Sequence, residues 1–145
     1  MPELPVASWI IWALLSAAFA ALTAIFAKIG VENVNSDLAT FIRTVVVIVV
    51  LGGILAVRGL FQPITSISGR SYLFLALSGL ATGASWLCYF RALQLGDASR
   101  VAPIDKLSVV LVALCGVAFL GEKLSAYNWL GVLMSASGVI LIAAR

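Results

Sequence analysis

The chain has 145 residues, of which 63% are hydrophobic and 10% are charged, and its formal net charge is +3. Soluble domains carry about 25% charged residues, so this composition excludes a soluble domain. The length and composition together indicate a single membrane domain over residues 1–145. The basic residues are spread without a run, which argues against nucleic-acid binding. With no histidine and two separate cysteines, the chain is expected to hold no metal, no disulfide framework and no cofactor.

Five apolar stretches follow one another along the chain and fill nearly all of it. They cover residues 8–30, 37–59, 72–95, 100–120 and 127–144. Because a hydrocarbon core of about 30 Å takes about 20 helical residues, each stretch is long enough to cross a bilayer. We therefore predict an all-α membrane protein, a bundle of five transmembrane helices whose termini lie on opposite sides of the membrane.

The ends of these helices carry recognisable signals. A glycine follows four of the apolar runs, where a helix favours a left-handed closing residue. These glycines are Gly30, Gly59, Gly96 and Gly121. Residues 35–37 (Asn-Ser-Asp) offer an N-cap for the second helix. Pro103 has no backbone N–H, so we expect the fourth helix to start irregularly over residues 100–103.

The orientation of the bundle is weakly determined by charge. We define side A as the side on which the first helix begins and side B as the opposite side. Basic residues near helix ends are Arg58, Arg70 and Lys123 on side A, and Lys28, Arg91, Arg100 and Arg145 on side B. Because basic residues are enriched on the cytoplasmic side of membrane proteins, this small excess favours the orientation in which side B faces the cytoplasm. The alternative is insertion in both orientations, with two copies pairing as an antiparallel homodimer.

Ionisable side chains also lie inside three of the predicted helices, at similar depth from side B. They are Arg43, Arg91, Asp105 and Lys106. Such groups cost roughly 2.5–3.5 kcal/mol to insert and are usually functional. One interpretation is structural, with side chains reaching towards the surface and Asp105 paired with Arg43 or Arg91. The other is a polar vestibule leading to a solute site, in which Asp105 is the proton-coupling acid. Lys28 is close enough to the helix end to snorkel to the surface.

Three helices carry faces of small residues, and on the first helix Ala17, Ala20/Ala21 and Ala24 share a face with Lys28. On the third helix, Gly79 and Gly83 share a face with Trp86 and Tyr89/Phe90, and the glycines permit close approach of another helix. The aromatic side chains either pack against neighbours or wall a cavity that holds a cation. On the fifth helix, a face of small residues is predicted to form a dimer contact. Its members are Gly131, Ser135 and Gly138.

Two segments carry a family pattern: ALQLGDASRVAPIDKLS at residues 92–108 and FLGEKLS at residues 119–125. With them, the whole chain resembles one EamA domain of the drug/metabolite transporter superfamily. Members commonly carry two such units in tandem with inverted topology, so the resemblance implies that two copies of this chain assemble. Glu122 matches the family's glutamate at the end of the fourth helix, and we interpret it as structural. The chain is more distantly similar to the small multidrug resistance proteins, but residues 8–27 contain no acid to match their first-helix glutamate.

From these observations we predict an exporter of a small metabolite or drug-like solute, working by alternating access as a homodimer in a prokaryotic inner membrane. The predicted lining residues are Arg43, Thr44, Trp86, Tyr89, Arg91, Asp105, Lys106 and Ser108. A passive dual-topology channel and a non-transporting membrane subunit remain as alternatives. The chain has no nucleophile–base pair and no phosphate-binding loop, so an enzyme is not expected.

Overall fold

The computed structural model describes residues 7–144, and the predictions that concern residues 1–6 and Arg145 lie outside them. All regular structure in the described part is helical. The α-helices are α1 (Ala7–Gly30), α2 (Ser36–Arg58), α3 (Gly69–Leu95), α4 (Ala98–Asp105), α5 (Ser108–Phe119) and α6 (Ala126–Ala143), with a 3-10 turn at Ile64–Ser66. Since α4 and α5 together form one apolar span, the described chain has five spans long and apolar enough to cross a membrane. The predicted five-helix fold is confirmed.

The chain divides into two compact units, which we describe separately. The central unit is Phe26–Leu95 and contains the end of α1 with all of α2 and α3. The flanking unit combines residues 7–25 with residues 96–144, and contains the rest of α1 with α4, α5 and α6. In the central unit α2 packs on α3, and in the flanking unit α6 packs on both α4 and α5.

The core of the central unit lies where α1 ends, α2 begins and α3 ends. Val31 and Leu93 are fully buried there, and Phe90 is nearly so. Ser36 and Thr40 at the start of α2 are also buried, with the Thr40 hydroxyl donating to the Ser36 carbonyl at 2.9 Å. Bonding within the helix satisfies that hydroxyl, so it is buried without an unmade hydrogen bond. Close packing is therefore concentrated at this end of the unit.

The helix-end predictions are confirmed in part. The Asn35 side chain caps α2, because its Oδ1 accepts from the backbone N–H groups of Asp37 at 2.9 Å and Leu38 at 3.2 Å. Gly59 (φ 62°) has the expected left-handed conformation, and so does Gly121 (φ 68°). For Gly30 and Gly96 the prediction is wrong, since neither has positive φ. α1 continues through Gly30, and the next α-helix begins two residues after Gly96, so no left-handed turn is needed.

Replacing Gly59 by alanine is expected to destabilise the protein by roughly 1–2 kcal/mol, because a Cβ is strained in the left-handed conformation. Thermal unfolding of the detergent-solubilised protein measures this loss. The matched control is Gly79→Ala, since Gly79 is inside α3 with open space around it. Alanine there should gain up to about 1 kcal/mol of helix propensity. Equal effects of the two substitutions would contradict the assignment of Gly59 as the residue that ends α2.

The fourth span is interrupted, but not where the sequence predicted. Pro103 lies inside α4, and residues 100–103 are regular helix. The interruption comes at Lys106 and Leu107, whose N–H groups bond three residues back, to Pro103 at 3.0 Å and Ile104 at 3.0 Å. Pro103 is tolerated because its missing N–H removes a single bond near the helix start, to the Ser99 carbonyl. Such an interruption of a membrane-spanning helix is tolerated only where the non-helical backbone is buried in protein or lines a water-filled cavity.

Candidate functional site

The centre of the candidate site is a stack of Arg43 on Trp86. The guanidinium carbon of Arg43 lies 4.0 Å from the centre of the Trp86 ring and 5.6 Å from that of Phe90. Arg43 follows the buried Thr40 by three residues and Trp86 precedes the buried Phe90 by four, so both point into the packing of α2 on α3. Such a contact contributes about 0.5–2 kcal/mol. The aromatic face was predicted to pack or to hold a cation, and the cation that lies on it is the guanidinium of Arg43 from the same chain.

Two more predicted residues lie in the central unit beside this stack. Thr44 is half-buried, and its hydroxyl donates to the Thr40 carbonyl at 2.8 Å, which leaves the oxygen able to accept. Tyr89 is also half-buried. A second ring near Arg43 belongs to Phe90, which was predicted to share a face with Tyr89 but not to line the site. The helical spacing indicated this face but did not predict that the Phe90 ring lies 5.6 Å from the Arg43 guanidinium carbon.

Arg91 belongs to a different group. It is exposed, and its Nη1 donates to the Gln94 side-chain oxygen at 3.0 Å. The Gln94 amide nitrogen in turn donates to the carbonyl of Val34 at 2.7 Å and, more weakly, to that of Val31 at 3.4 Å. Gln94 therefore ties the loop between α1 and α2 to the end of α3. Gln94 was not predicted as a functional residue, because a lone glutamine near a helix end belongs to no recognisable sequence pattern.

A cavity of about 380 Å³ lies beside this tie, within the central unit. It is lined by Lys28, Ile29, Val31, Glu32, Leu93 and Gln94. Lys28 is half-buried, and its ammonium donates to the Leu93 carbonyl at 2.7 Å, so it packs on α3 instead of reaching away to the surface. A signal for this was present, since Lys28 follows the buried Ala24 by four residues and so shares its helical face.

The remaining predicted residues lie in the flanking unit, at the interruption of the fourth span. The Lys106 ammonium is 3.2 Å from Oδ2 of Asp105, and their side chains are 59% and 37% exposed. Ser108 is the exposed first residue of α5. Asp105 is thus paired with its neighbour in sequence, and an exposed pair of this kind contributes about 0–1 kcal/mol. Its expected pairing with Arg43 or Arg91 joins residues of different units and stays a prediction.

Glu122 lies just after α5, in the same unit. Its backbone N–H donates to the Gly116 carbonyl at 3.0 Å, a carbonyl that also accepts from Leu120 at 3.1 Å. Its carboxylate covers the buried Gly116, where an added methyl group would lie 2.6 Å from Oε2. The geometry supports the structural interpretation of Glu122, which closes the end of α5 over a glycine that leaves room for it.

The small-residue faces are open within the described chain. No atom of another element lies within 4 Å of the position that a methyl group would take at Gly79 or Gly83 on α3. The same is true of Gly131 and Gly138 on α6. Faces that allow helices to approach closely are therefore not used for that purpose within the described residues of either unit.

Comparison with known proteins agrees with these features. Residues 7–144 match the EamA-like transporter family. The chain is 66% identical over 136 residues to an "Uncharacterized transporter in cobO 3'region" of Sinorhizobium sp, covering 94% of this chain and 96% of that protein. It is 26% identical over 139 residues to the "Uncharacterized transporter YxxF" of Bacillus subtilis (strain 168), covering 95% of this chain and 43% of that protein. No solved structure matches.

Proposed function

The chain belongs to the EamA-like transporter family, and from this premise we propose that it exports a small solute from a prokaryotic cell by alternating access, as a homodimer of five-helix units. Five apolar spans make it a multi-pass membrane protein. The solute path would be lined by the predicted residues of each unit. Those of the central unit are Arg43, Thr44, Trp86, Tyr89 and Arg91, and those of the flanking unit are Asp105, Lys106 and Ser108.

The observation that carries this proposal is the half-buried Arg43 of α2, about 10 Å along the helix from Ser36. A charged side chain at such depth is costly unless the protein uses it, and in membrane proteins it commonly marks a solute or ion pathway. Here the charge lies against the rings of Trp86 and Phe90. This arrangement favours a binding site over a purely structural ion pair.

Assembly as a homodimer is supported by chain length and by unfilled surfaces. The chain spans less than half of the Bacillus relative, so that transporter has room for a second unit. The open faces of α3 and α6 can accept another helix. We place the dimer contact on the small-residue face of α6, around Gly131 and Gly138.

A tag at each end of the chain tests the arrangement. If the dimer is antiparallel, each tag should be found on both sides of the membrane, whereas a single orientation for every molecule contradicts it. Gly131→Leu is expected to abolish chemical cross-linking into dimers, because the larger side chain blocks close helix approach. Gly53→Leu is the matched control, since Gly53 is also in open space but lies on α2. Unchanged cross-linking of Gly131→Leu would remove α6 from the interface.

Asp105→Asn is expected to abolish proton-driven export while leaving exchange of solute across the membrane. The reason is that Asp105 lies at the interruption of the fourth span, and an amide of the same shape neither binds nor releases the proton. Transport into proteoliposomes with and without a pH gradient measures the effect. Asp97→Asn is the control, since the Asp97 side chain forms no capping hydrogen bond with α4. Full gradient-driven transport by Asp105→Asn would remove Asp105 from the coupling role.

A further inference from the structure

The central unit carries more positive than negative charge, and neither of its acids forms an ion pair with Arg43. Its acidic residues are Glu32, in the loop after α1, and Asp37, in the first turn of α2. Its basic residues are Lys28, Arg43, Arg58, Arg70 and Arg91. Among the described residues, neither acid lies within 4.0 Å of the Arg43 guanidinium nitrogens. Arg43 is therefore a half-buried cation that its own unit does not neutralise.

The contact with Trp86 determines which parts of the guanidinium remain available. Lying 4.0 Å from the ring centre, the guanidinium covers one face of Trp86. In the face-on geometry in which guanidinium groups stack on aromatic rings, the N–H groups point outward in the guanidinium plane. These coplanar donors match the two oxygens of a carboxylate or phosphate. The stack therefore presents an anion-binding edge held in place by a rigid aromatic ring.

The same contact makes a cationic solute a poor fit. The Trp86 face that would attract a cation is already covered by Arg43, and the guanidinium charge repels a second cation. The Phe90 ring is 5.6 Å from the same guanidinium carbon. The aromatic rings alone would favour a cationic solute. With Arg43 stacked on them, the same rings hold a positive charge in place and favour an anionic solute.

We infer that the transported solute is an organic anion, whose carboxylate or phosphate group binds the N–H edge of Arg43 while Arg43 stacks on Trp86. This inference rests on the proposed transport function and adds the substrate class. Since charge-assisted hydrogen bonds are stronger than neutral ones, one such anchor in a site of low dielectric discriminates strongly by charge.

Fluorescence quenching of Trp86 tests the inference without a transport assay. The protein is placed in vesicles of phosphatidylcholine, with Trp9, Trp12 and Trp129 replaced by phenylalanine so that Trp86 alone emits. All quenching by iodide and caesium is expressed relative to quenching of free N-acetyltryptophanamide by the same ion, since iodide is intrinsically the stronger quencher. On this scale we expect iodide to quench Trp86 several-fold more strongly than caesium at matched ionic strength. Succinate, which does not quench, should protect Trp86 from iodide, whereas choline should not. In case the triple replacement does not fold, the difference between the unaltered chain and Trp86→Phe gives the same signal.

Substitutions of Arg43 and a matched residue complete the test. Arg43→Gln should bring iodide quenching down to the level of caesium, with quenching by neutral acrylamide unchanged. Arg43→Lys should retain part of the preference for iodide over caesium. Arg58→Gln, which changes a residue at the other end of α2, should retain all of it. Caesium quenching equal to or above that of iodide would overturn the inference, as would an iodide preference that survives Arg43→Gln. Failure of the transport proposal would instead appear as the absence of solute flux in proteoliposomes, whatever the quenching result.

Discussion

Arg43→Gln is expected to lower solute transport at least tenfold, on the order of the loss of one charge-assisted hydrogen bond of about 1.5–3 kcal/mol. Stability should change by less than about 1 kcal/mol, because the lost ring contacts, about 0.5–2 kcal/mol, are offset when the cost of a charge at membrane depth is removed. The two effects therefore separate a binding residue from a structural one. Counterflow in proteoliposomes measures the first, and thermal unfolding in detergent measures the second.

Two substitutions serve as controls for this prediction. One removes another basic residue from α2, and the other keeps the positive charge at residue 43. Arg58→Gln removes a basic residue from the last turn of α2, outside the stack with Trp86, and should leave transport unchanged. Arg43→Lys keeps the charge but loses the planar fork, so transport should fall by less than with glutamine. A large loss of stability in Arg43→Gln, with transport reduced only in proportion to the folded protein, would show that Arg43 is structural.

Gln94→Glu is expected to destabilise the protein by about 2–3 kcal/mol, a large effect for a substitution that keeps the shape of the side chain. The amide nitrogen of Gln94 donates to the carbonyls of Val34 and Val31. A carboxylate oxygen in its place cannot donate, so the part-buried carbonyls lose their partner and face a negative charge. The new charge also meets Arg91, but an exposed ion pair returns only about 0.2–1 kcal/mol.

Thermal unfolding and limited proteolysis of residues 31–35 measure this effect. Cleavage in that loop should become faster in Gln94→Glu, because the loop is no longer held to α3. Gln62→Glu is the matched control, as the same change at an exposed loop position. If both substitutions have equal and small effects, Gln94 does not hold the loop, and the position of α2 against α3 depends on apolar packing alone.

Much of the fold was predictable because it depends on local composition. A stretch of about 20 apolar residues must form a helix in lipid, where every backbone polar group needs a partner within the segment. The cap of α2 by Asn35 was predictable for the same reason, since the side chain bonds to the backbone two and three residues further on. Gly30 and Gly96 were wrongly predicted because glycine accepts either sign of φ, and the course of the following chain decides which one it adopts.

The site was predictable only in part. Arg43 and Trp86 were both identified, the first by its charge within an apolar span and the second by its place on a helical face. Their contact at 4.0 Å depends on how α2 and α3 rotate against each other, and so does the position of the Phe90 ring at 5.6 Å from Arg43. The fourth span is interrupted after Asp105 and not at the predicted residues 100–103, because Pro103 fits within the first turns of α4.

The sequence by itself determined that this protein is a five-span helical member of its family and which charged residues lie within those spans. Tertiary structure alone decided which partners those residues meet. The Lys28 ammonium bonds a carbonyl 65 residues away, and the Gln94 amide bonds one 60 residues away. Helical periodicity and hydropathy extend over a few turns of one helix, whereas such contacts depend on the packing of separate helices, which no local pattern encodes.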